Sequence, residues 1–306
     1  RQRIDYTAGC MRDFALLASA QFATLERQNG DVRVRSFFRA SERAMGEKVL
    51  DAAAWALGDF EKRFGAYPYR ELDVVEQALV GGVGGVEFAG LGTVASLFYK
   101  PAIRSSDRSL DTLLLGGGSA DPTLKDGAAE FTTAHEVAHQ WFHGIVGSDS
   151  RRHPWQDEAL AQFCAMLYSE DRYGPARAKR DADLNARVSY AMMRILGQPD
   201  GPVDAPAGTQ SQLVYGGLVY GKGPYDVDAL RRRLGDAAFF EAMKDYVARY
   251  YLAFAPDHAF EQAMAHARGA SAPDVDALSH RWLYETHGDD DLGALDRKAL
   301  LRMIGP

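Results

Sequence analysis

Hydrophobic and polar positions along the chain change period several times, and each change predicts an element. In residues 31–38 (DVRVRSFF), Val32 and Val34 alternate with Arg33 and Arg35, the two-residue period of a half-buried strand. From residue 41 to 64 the period lengthens. Val49, Ala53, Ala56, Leu57 and Phe60 recur at three- and four-residue steps, an amphipathic helix that Gly65 and Pro68 stop. Residues 72–80 (LDVVEQALV) read as a strand, Gly81-Gly82-Val83-Gly84-Gly85 as a turn, and residues 94–99 and 112–115 as further strands. Beyond about residue 121 the pattern is almost wholly helical. Asp126 is placed to cap a helix running through His143, and residues 155–171 form another, with Leu160, Phe163 and Leu167 on one face. Helices over residues 236–251, 256–268 and 273–286 follow, anchored by Phe239, Met243, Phe260, Met264, Leu278 and Trp282. Residues 198–217, rich in Pro, Gly and Ser, read as a loop long enough to suit a functional role. There is no internal repeat. The expected class is α+β, with a sheet-containing lobe over residues 1–120 and a helical lobe over residues 121–306.

Composition narrows the options. With 306 residues, 46% of them hydrophobic and 25% charged, the chain can bury a core without staples. Cys10 and Cys164 are too few for a disulfide framework or a cysteine-rich metal site, and Cys164 reads as a small buried hydrophobe. A formal net charge of −7 argues against nucleic acid as a partner. No apolar run approaches the ~20 residues needed to span a bilayer. Thr7-Ala8-Gly9-Cys10 has the outline of a lipoprotein cleavage site, but Arg1, Arg3 and Asp5 stand where an apolar stretch would be needed. A chain that starts at Arg1 is expected to be a fragment or a processed form.

The chemistry concentrates in His135-Glu136-Val137-Ala138-His139, an H-E-x-x-H sequence. On a helix, positions i and i+4 share a face, so both imidazoles can reach one ion. A catalytic zinc site needs a third protein ligand and keeps one position open. Glu158, 19 residues after His139 and in the first turns of the next expected helix, is the candidate. An antiparallel helix pair joined across residues 144–154 would return it beside the histidines. Glu136, turned ~100° from the first ligand, falls beside the ion rather than on it. There it can take a proton from zinc-bound water and pass it to a leaving amine. His153, His258, His266, His280 and His287 show no such spacing and read as surface or capping residues; His143, four residues after His139, could crowd the site.

Read further, His135 to Phe142 (HEVAHQWF) followed by Trp155 to Ala161 (WQDEALA) resembles the M1 family of zinc aminopeptidases, the gluzincins, whose usual signatures are HExxHxW(F/W)G and WLNEGFA or WLDEGLA. His143 stands at the usual Gly, Gln156 at Leu and Ala159 at Gly; none of these is a ligand or the base. The resemblance implies a thermolysin-like zinc-peptidase catalytic domain, a small mixed-sheet lobe followed by a mainly helical lobe. It implies one Zn²⁺ per chain on His135, His139 and Glu158, with Glu136 as base. Gly84-Gly85-Val86-Glu87-Phe88-Ala89-Gly90, which follows residues 64–76 (FGAYPYRELDVVE), resembles the family's G-A-M-E-N-P-G. That likeness implies that Glu87 binds the substrate's α-amine and that Gly84, Gly85 and Val86 line the peptide; Phe88 replaces the usual Asn. Taken alone these glycines are a tight turn, and without a G-K-[ST] they do not make a phosphate loop. Val219-Tyr220-Gly221-Lys222-Gly223 resembles V-Y-E-K-G, which implies that the Tyr220 hydroxyl donates to the oxyanion; a phenol with pKa ~10 keeps its proton for that purpose. Tyr215 is its nearest rival.

The likeness runs from about residue 13 to residue 286 and implies the family's catalytic module. The N-terminal β-domain and the large helical C-terminal domain that members usually carry have no counterpart in these residues, so a more open cleft is expected. The implied activity is that of an aminopeptidase acting on peptides with a free N-terminus. An endopeptidase of the same fold and a non-catalytic M1-like binding module are the alternatives. The W-x-D-E-x-L variant and the short architecture resemble bacterial members of the cell envelope, which implies an envelope or secreted location. Side-chain preference and oligomeric state are left open.

Overall fold

Phe22–Asn29 (β1) and Val32–Arg39 (β2) pair antiparallel across a two-residue turn in which Gly30 takes a left-handed φ of +57°. They belong to a computed structural model that describes residues 9–100 and 122–293; the strand expected over residues 112–115 lies outside these. β1 escapes a reading by period because it is an edge strand with little of either face buried. From β2 the chain crosses over through α1 (Arg43–Phe64) to β3 (Glu71–Gln77), parallel to β2. β4 (Gly85–Phe88) and β5 (Leu91–Ala95) complete a five-stranded sheet of order β1-β2-β3-β5-β4, with β5 parallel to β3 and β4 antiparallel to β5. β4 is thus an edge.

The strand expected over residues 94–99 is only half strand. It ends at Ala95, and Ser96–Tyr99 turns helically, burying Phe98 and Tyr99 in succession. A short apolar run has no period with which to tell the two apart. α1 lays Val49, Leu57 and Phe60 against Val34, Leu72, Val74 and Val94 of the sheet. It approaches so closely that a Cβ on Gly46 would sit 2.2 Å from the Phe38 ring. At its end Gly65, with φ +112°, returns its N–H to the Glu61 carbonyl.

The helical part begins with α2 (Pro122–Ala138), four residues ahead of Asp126, which pairs with Lys48 instead of capping. α2 packs on α1, on β5 and on α3 (Trp155–Tyr173). α4 (Pro175–Ala182) and α5 (Val188–Ile195) were not foreseen; α4 reads PARAKRDA and offers almost no apolar face. The loop expected over residues 198–217 ends at Ser211, whose hydroxyl caps the helical turn Gln212–Tyr215. A wide π-type turn, Gly216–Lys222, leads on to α6 (Gly223–Leu234) and α7 (Asp236–Arg249), and then to α8 (Ala259–Ala265) and α9 (Ala272–Tyr284). One core runs unbroken from Val32 in the sheet to Leu283, with Trp141, Trp155 and Cys164 fully buried inside it. Two short parallel strands, β6 (Val146–Gly147) and β7 (Ala253–Phe254), pin the segment after α2. Among the described residues no helix is long and apolar enough to cross a membrane.

Candidate active site

α2 and α3 hold the centre. His135 and His139 project from successive turns, and Glu158 comes from the first turn of α3. His135 Nε2 lies 3.0 Å from His139 Nε2 and 3.2 Å from Glu158 Oε2, and His139 Nε2 lies 3.4 Å from that same oxygen. Ligands about 2.1 Å from a tetrahedral ion stand about 3.4 Å from one another, so the triangle has the size zinc requires. Two imidazoles and one carboxylate are a donor set that suits zinc, and three protein ligands leave one position open. His135 and His139 are both buried.

Behind this triangle stands a second tier. His139 Nδ1 donates to Asp157 Oδ1 at 2.7 Å, which fixes the tautomer that presents Nε2 to an ion. His135 Nδ1 has no partner among the described residues. Burial alone would raise the Asp157 pKa, but His139 and His143 beside it bring it below the usual value. The other Asp157 oxygen accepts from His143 Nδ1 at 3.2 Å, and His143 Nε2 reaches Asp13 Oδ2 at 2.9 Å. Although burial works against the charge, these two carboxylates raise His143 to about 9. Arg12 completes the tier by donating to the His143 carbonyl at 2.6 Å. The expected helix through His143 breaks here: the chain leaves helical geometry at Phe142 and His143, which frees that carbonyl.

In front of the triangle, Glu136 is pressed against the sheet edge. A Cβ on Gly85 would fall 2.1 Å from Glu136 Oε1, and one on Gly92 would fall 3.0 Å from Glu136 Cβ. The two glycines, on neighbouring strands β4 and β5, make the recess in which this carboxyl sits. It is buried, and its Oε2 has no partner among the described residues. Burial raises its pKa well above the usual carboxyl value, and nearby Glu87, Glu158 and Asp157 add to the rise. β4 itself is held by three clips. Gln140 donates to the Phe88 carbonyl and accepts from Gly90 N–H, at 3.0 and 2.8 Å. Asp13 accepts from Ala89 N–H at 2.7 Å. Thr93 Oγ1 bridges both backbone groups of Val86. These contacts place Glu87, half-buried, 3.8 Å from His143 Nδ1.

The third wall comes from the π-type turn. Its i→i+5 winding sets Tyr215 and Tyr220 side by side with ring centroids 5.8 Å apart, and Tyr220 stacks on His135 at 5.9 Å. Burial, with Glu158 adjacent, raises the Tyr220 pKa well above that of a free phenol, so the hydroxyl stays protonated. Gly221 stands where the resembled motif has Glu because α5 passes so close that a Cβ would lie 2.7 Å from Tyr190 N. The buried Lys222 ammonium ties the turn to the Gly201 and Glu285 carbonyls.

The structure therefore gathers His135, Glu136, His139, Glu158, Glu87, Gly85 and Tyr220 in one place. His153, His258, His280 and His287 lie elsewhere, each beside a carboxylate. Sequence reasoning missed the contacts of Asp157 with His139 and His143, though its place just before a candidate ligand on the same helix was a usable signal. It also missed Asp13, for which there was no signal, and Gly92.

Comparison with known proteins agrees with this geometry. A model of the peptidase family M1 domain matches residues 109–282. Mitochondrial aminopeptidase 2 of Saccharomyces cerevisiae is 23% identical over 266 residues, 86% of this chain and 26% of that protein. The alanine/arginine aminopeptidase of the same yeast is 23% identical over 267 residues, 86% of this chain and 29% of the relative. Human endoplasmic reticulum aminopeptidase 2 is 25% identical over 225 residues, 72% and 21% of the two chains. The chain thus spans about a quarter of the length of these relatives. Because the family match covers more than half of the sequence and contains the three convergent ligands together with Glu136 and Tyr220, the chain belongs to peptidase family M1.

Proposed function

We propose that the chain is the catalytic portion of a zinc-dependent aminopeptidase, with one Zn²⁺ held by His135, His139 and Glu158. The observation that carries this reading is the 3.0–3.4 Å triangle of ligand atoms beside a buried carboxyl with one unpartnered oxygen. When bound, the ion supplies a water of lowered pKa and polarises the scissile carbonyl. With a cation held by the triangle, Glu136 would serve as a carboxylate, against the burial that favours its neutral form. Glu136 Oε2 then accepts the attacking water's proton and delivers it to the departing amine. Tyr220 donates its hydroxyl to the carbonyl oxygen as that atom gains charge.

The sheet supports one place for the peptide. Ala95 N–H bonds to the Gly84 carbonyl at 2.8 Å, so in this antiparallel register Val86 turns its backbone groups toward β5 while Gly85 and Glu87 turn theirs outward along the open edge. A substrate strand laid on that edge has Gly84 to Val86 beneath it and Glu87 to receive its α-ammonium. The test is metal stripping and titration. Chelator-treated protein should regain hydrolysis of Ala- or Leu-p-nitroanilide at one equivalent of Zn²⁺, with an N-blocked peptide cleaved more slowly. No metal uptake, or no hydrolysis of either substrate with metal bound, would end the proposal; faster cleavage of the blocked peptide would replace it with an endopeptidase.

A further inference from the structure

One hydrogen bond crosses from the sheet edge to the wall that faces it. Gln212 Nε2 donates to the Gly81 carbonyl at 2.8 Å, joining residues 131 positions apart. Gly81 belongs to the turn ahead of β4, and Gln212 opens the helical turn that ends in Tyr215. Residues three apart on a helix share a side, so Gln212 lies next to Tyr215, whose ring meets Tyr220, which in turn stacks on His135. The bond thus ties the tyrosine wall to the strand edge. Its place along that edge is set by the residues of the strand. Glu87 marks the α-ammonium, Gly85 lies against the Glu136 carboxyl, and Gly81 comes four positions further in the same direction. A peptide with its first residue at Glu87 and its scissile bond over Glu136 sends its remainder past Gly84 toward the bond. Four extended positions span at most about 13 Å. The positive φ of Gly81 and Gly82, +72° and +79°, bend the chain and shorten that path.

We propose that Gln212 is a specificity-determining residue: its bond to Gly81 closes the leaving side of the cleft, so that the site favours short peptides over long ones. The inference rests on the reading of β4 as the substrate's edge, with Glu87 receiving the α-ammonium. The substrate class it points to is peptides of up to about five residues, one ahead of the scissile bond and about four behind it. A longer chain must part the two walls to continue. They can be parted, because no residue from Val80 to Val83 is buried, so the core does not fix this turn. Gln212 is exposed as well, and water takes over both partners once the bond opens. The closure is therefore a selective one, worth the difference between one made and one opened hydrogen bond, rather than a block.

The experiment measures release of alanine from Ala-Gly-Gly and from the nonapeptide Ala-(Gly-Ser)4 by the zinc-loaded native protein, by Gln212→Ala and by Gln212→Glu. Alanine removes the side chain that bridges the walls; glutamate keeps its length, but an ionised carboxylate has no N–H to give to a carbonyl. The native protein should show the higher kcat/KM on the tripeptide. In both variants the ratio of kcat/KM for the nonapeptide to that for the tripeptide should rise about fivefold, equivalent to about 1 kcal/mol. A ratio that stays where it was or falls in both variants overturns the proposal, as does a native protein that prefers the nonapeptide, because the bond would then only steady the loop. The underlying reading fails separately. If native protein with zinc bound releases alanine from neither peptide, the assignment of the edge and of the aminopeptidase activity falls. If it releases alanine from both while the Gln212 variants leave the ratio unchanged, only the role of Gln212 falls.

Discussion

Replacing Gly85 by alanine tests whether the sheet edge was built around the base. The added Cβ would sit 2.1 Å from Glu136 Oε1, 2.4 Å from its Cδ and 2.5 Å from the Thr93 carbonyl oxygen, where ordinary contact begins near 3.4 Å. A glutamate tip can swing aside, but Thr93 O is backbone in the partner strand, so rotation of Glu136 does not relieve the clash. Either β4 peels from β5 or the carboxyl moves by about 1 Å, and a misplacement of that size costs roughly 10²-fold in rate. Overpacking should also cost about 1–3 kcal/mol of stability. None of the three atoms nearest the new methyl belongs to His135, His139 or Glu158. The expected outcome is therefore a kcat on Ala-p-nitroanilide lower by about 10²-fold with one zinc per chain retained, read by turnover and metal analysis on the same sample. Gly92→Ala, whose Cβ would meet Glu136 Cβ at 3.0 Å, should show a milder loss. A Gly85→Ala protein with zinc bound and kcat within about threefold of native would refute the argument that this glycine exists to seat Glu136.

Three further outcomes are expected. Glu136→Gln should keep its zinc and lose about 10²–10⁴-fold in turnover, since an amide cannot accept the water's proton; near-native turnover would remove Glu136 from the mechanism. Asp157→Ala should weaken zinc binding about 10–100-fold in a competitive chelator titration, because the acceptor that orients His139 is lost; an unchanged affinity would make the 2.7 Å contact incidental. Asp226 is fully buried without a partner among the described residues, and burial, with Glu261 adding, raises its pKa well above 3.8. The folded state then holds its proton more tightly than the unfolded one, so native stability should fall as pH climbs from about 4 through the raised value, and Asp226→Asn should flatten that fall. Parallel unfolding curves for the two proteins across that range would contradict it.

The convergence of His135, His139 and Glu158 was legible because it follows from local rules. Two histidines four apart on a helix share a face, and a glutamate in the next helix's first turn is one loop away. The tier behind it was not, because His143 finds Asp13 across 130 positions and no periodicity encodes such a pairing. Tyr220 lies beside His135, while the setting read for it from sequence differs. Gly216 and Gly217 suggest a loop, yet Gly217 lies in a wide turn so close to Met193 that a Cβ would meet that side chain at 2.7 Å. β1 and α4 were missed for a common reason, since neither buries a continuous apolar face and a period-based reading has nothing to follow.

These differences in legibility follow a physical division within the site. The metal side is held by packing. Trp141 and Trp155, two residues after His139 and three before Glu158, are fully buried, and the Trp141 indole also bonds to the Gly65 carbonyl. Interiors of that density resist displacement, so the positions of His135, His139 and Glu158 are set by the core. The substrate side is held differently. All four residues of β4 are only half-buried, and the strand depends on Gln140, Asp13 and Thr93 for its place. Hydrogen bonds of this kind are each worth about 1 kcal/mol net, so they can be altered singly without collapse of the fold. Phe88 and His143, two of the chain's departures from the resembled motifs, both fall on that side. A change there alters what lies beside Glu87 while the His135, His139 and Glu158 triangle, anchored in the core, stays as it was. On the proposed function, substrate preference would thus be free to vary by substitution along one strand and its clips, whereas the triangle of His135, His139 and Glu158 is tied to the packing of the core.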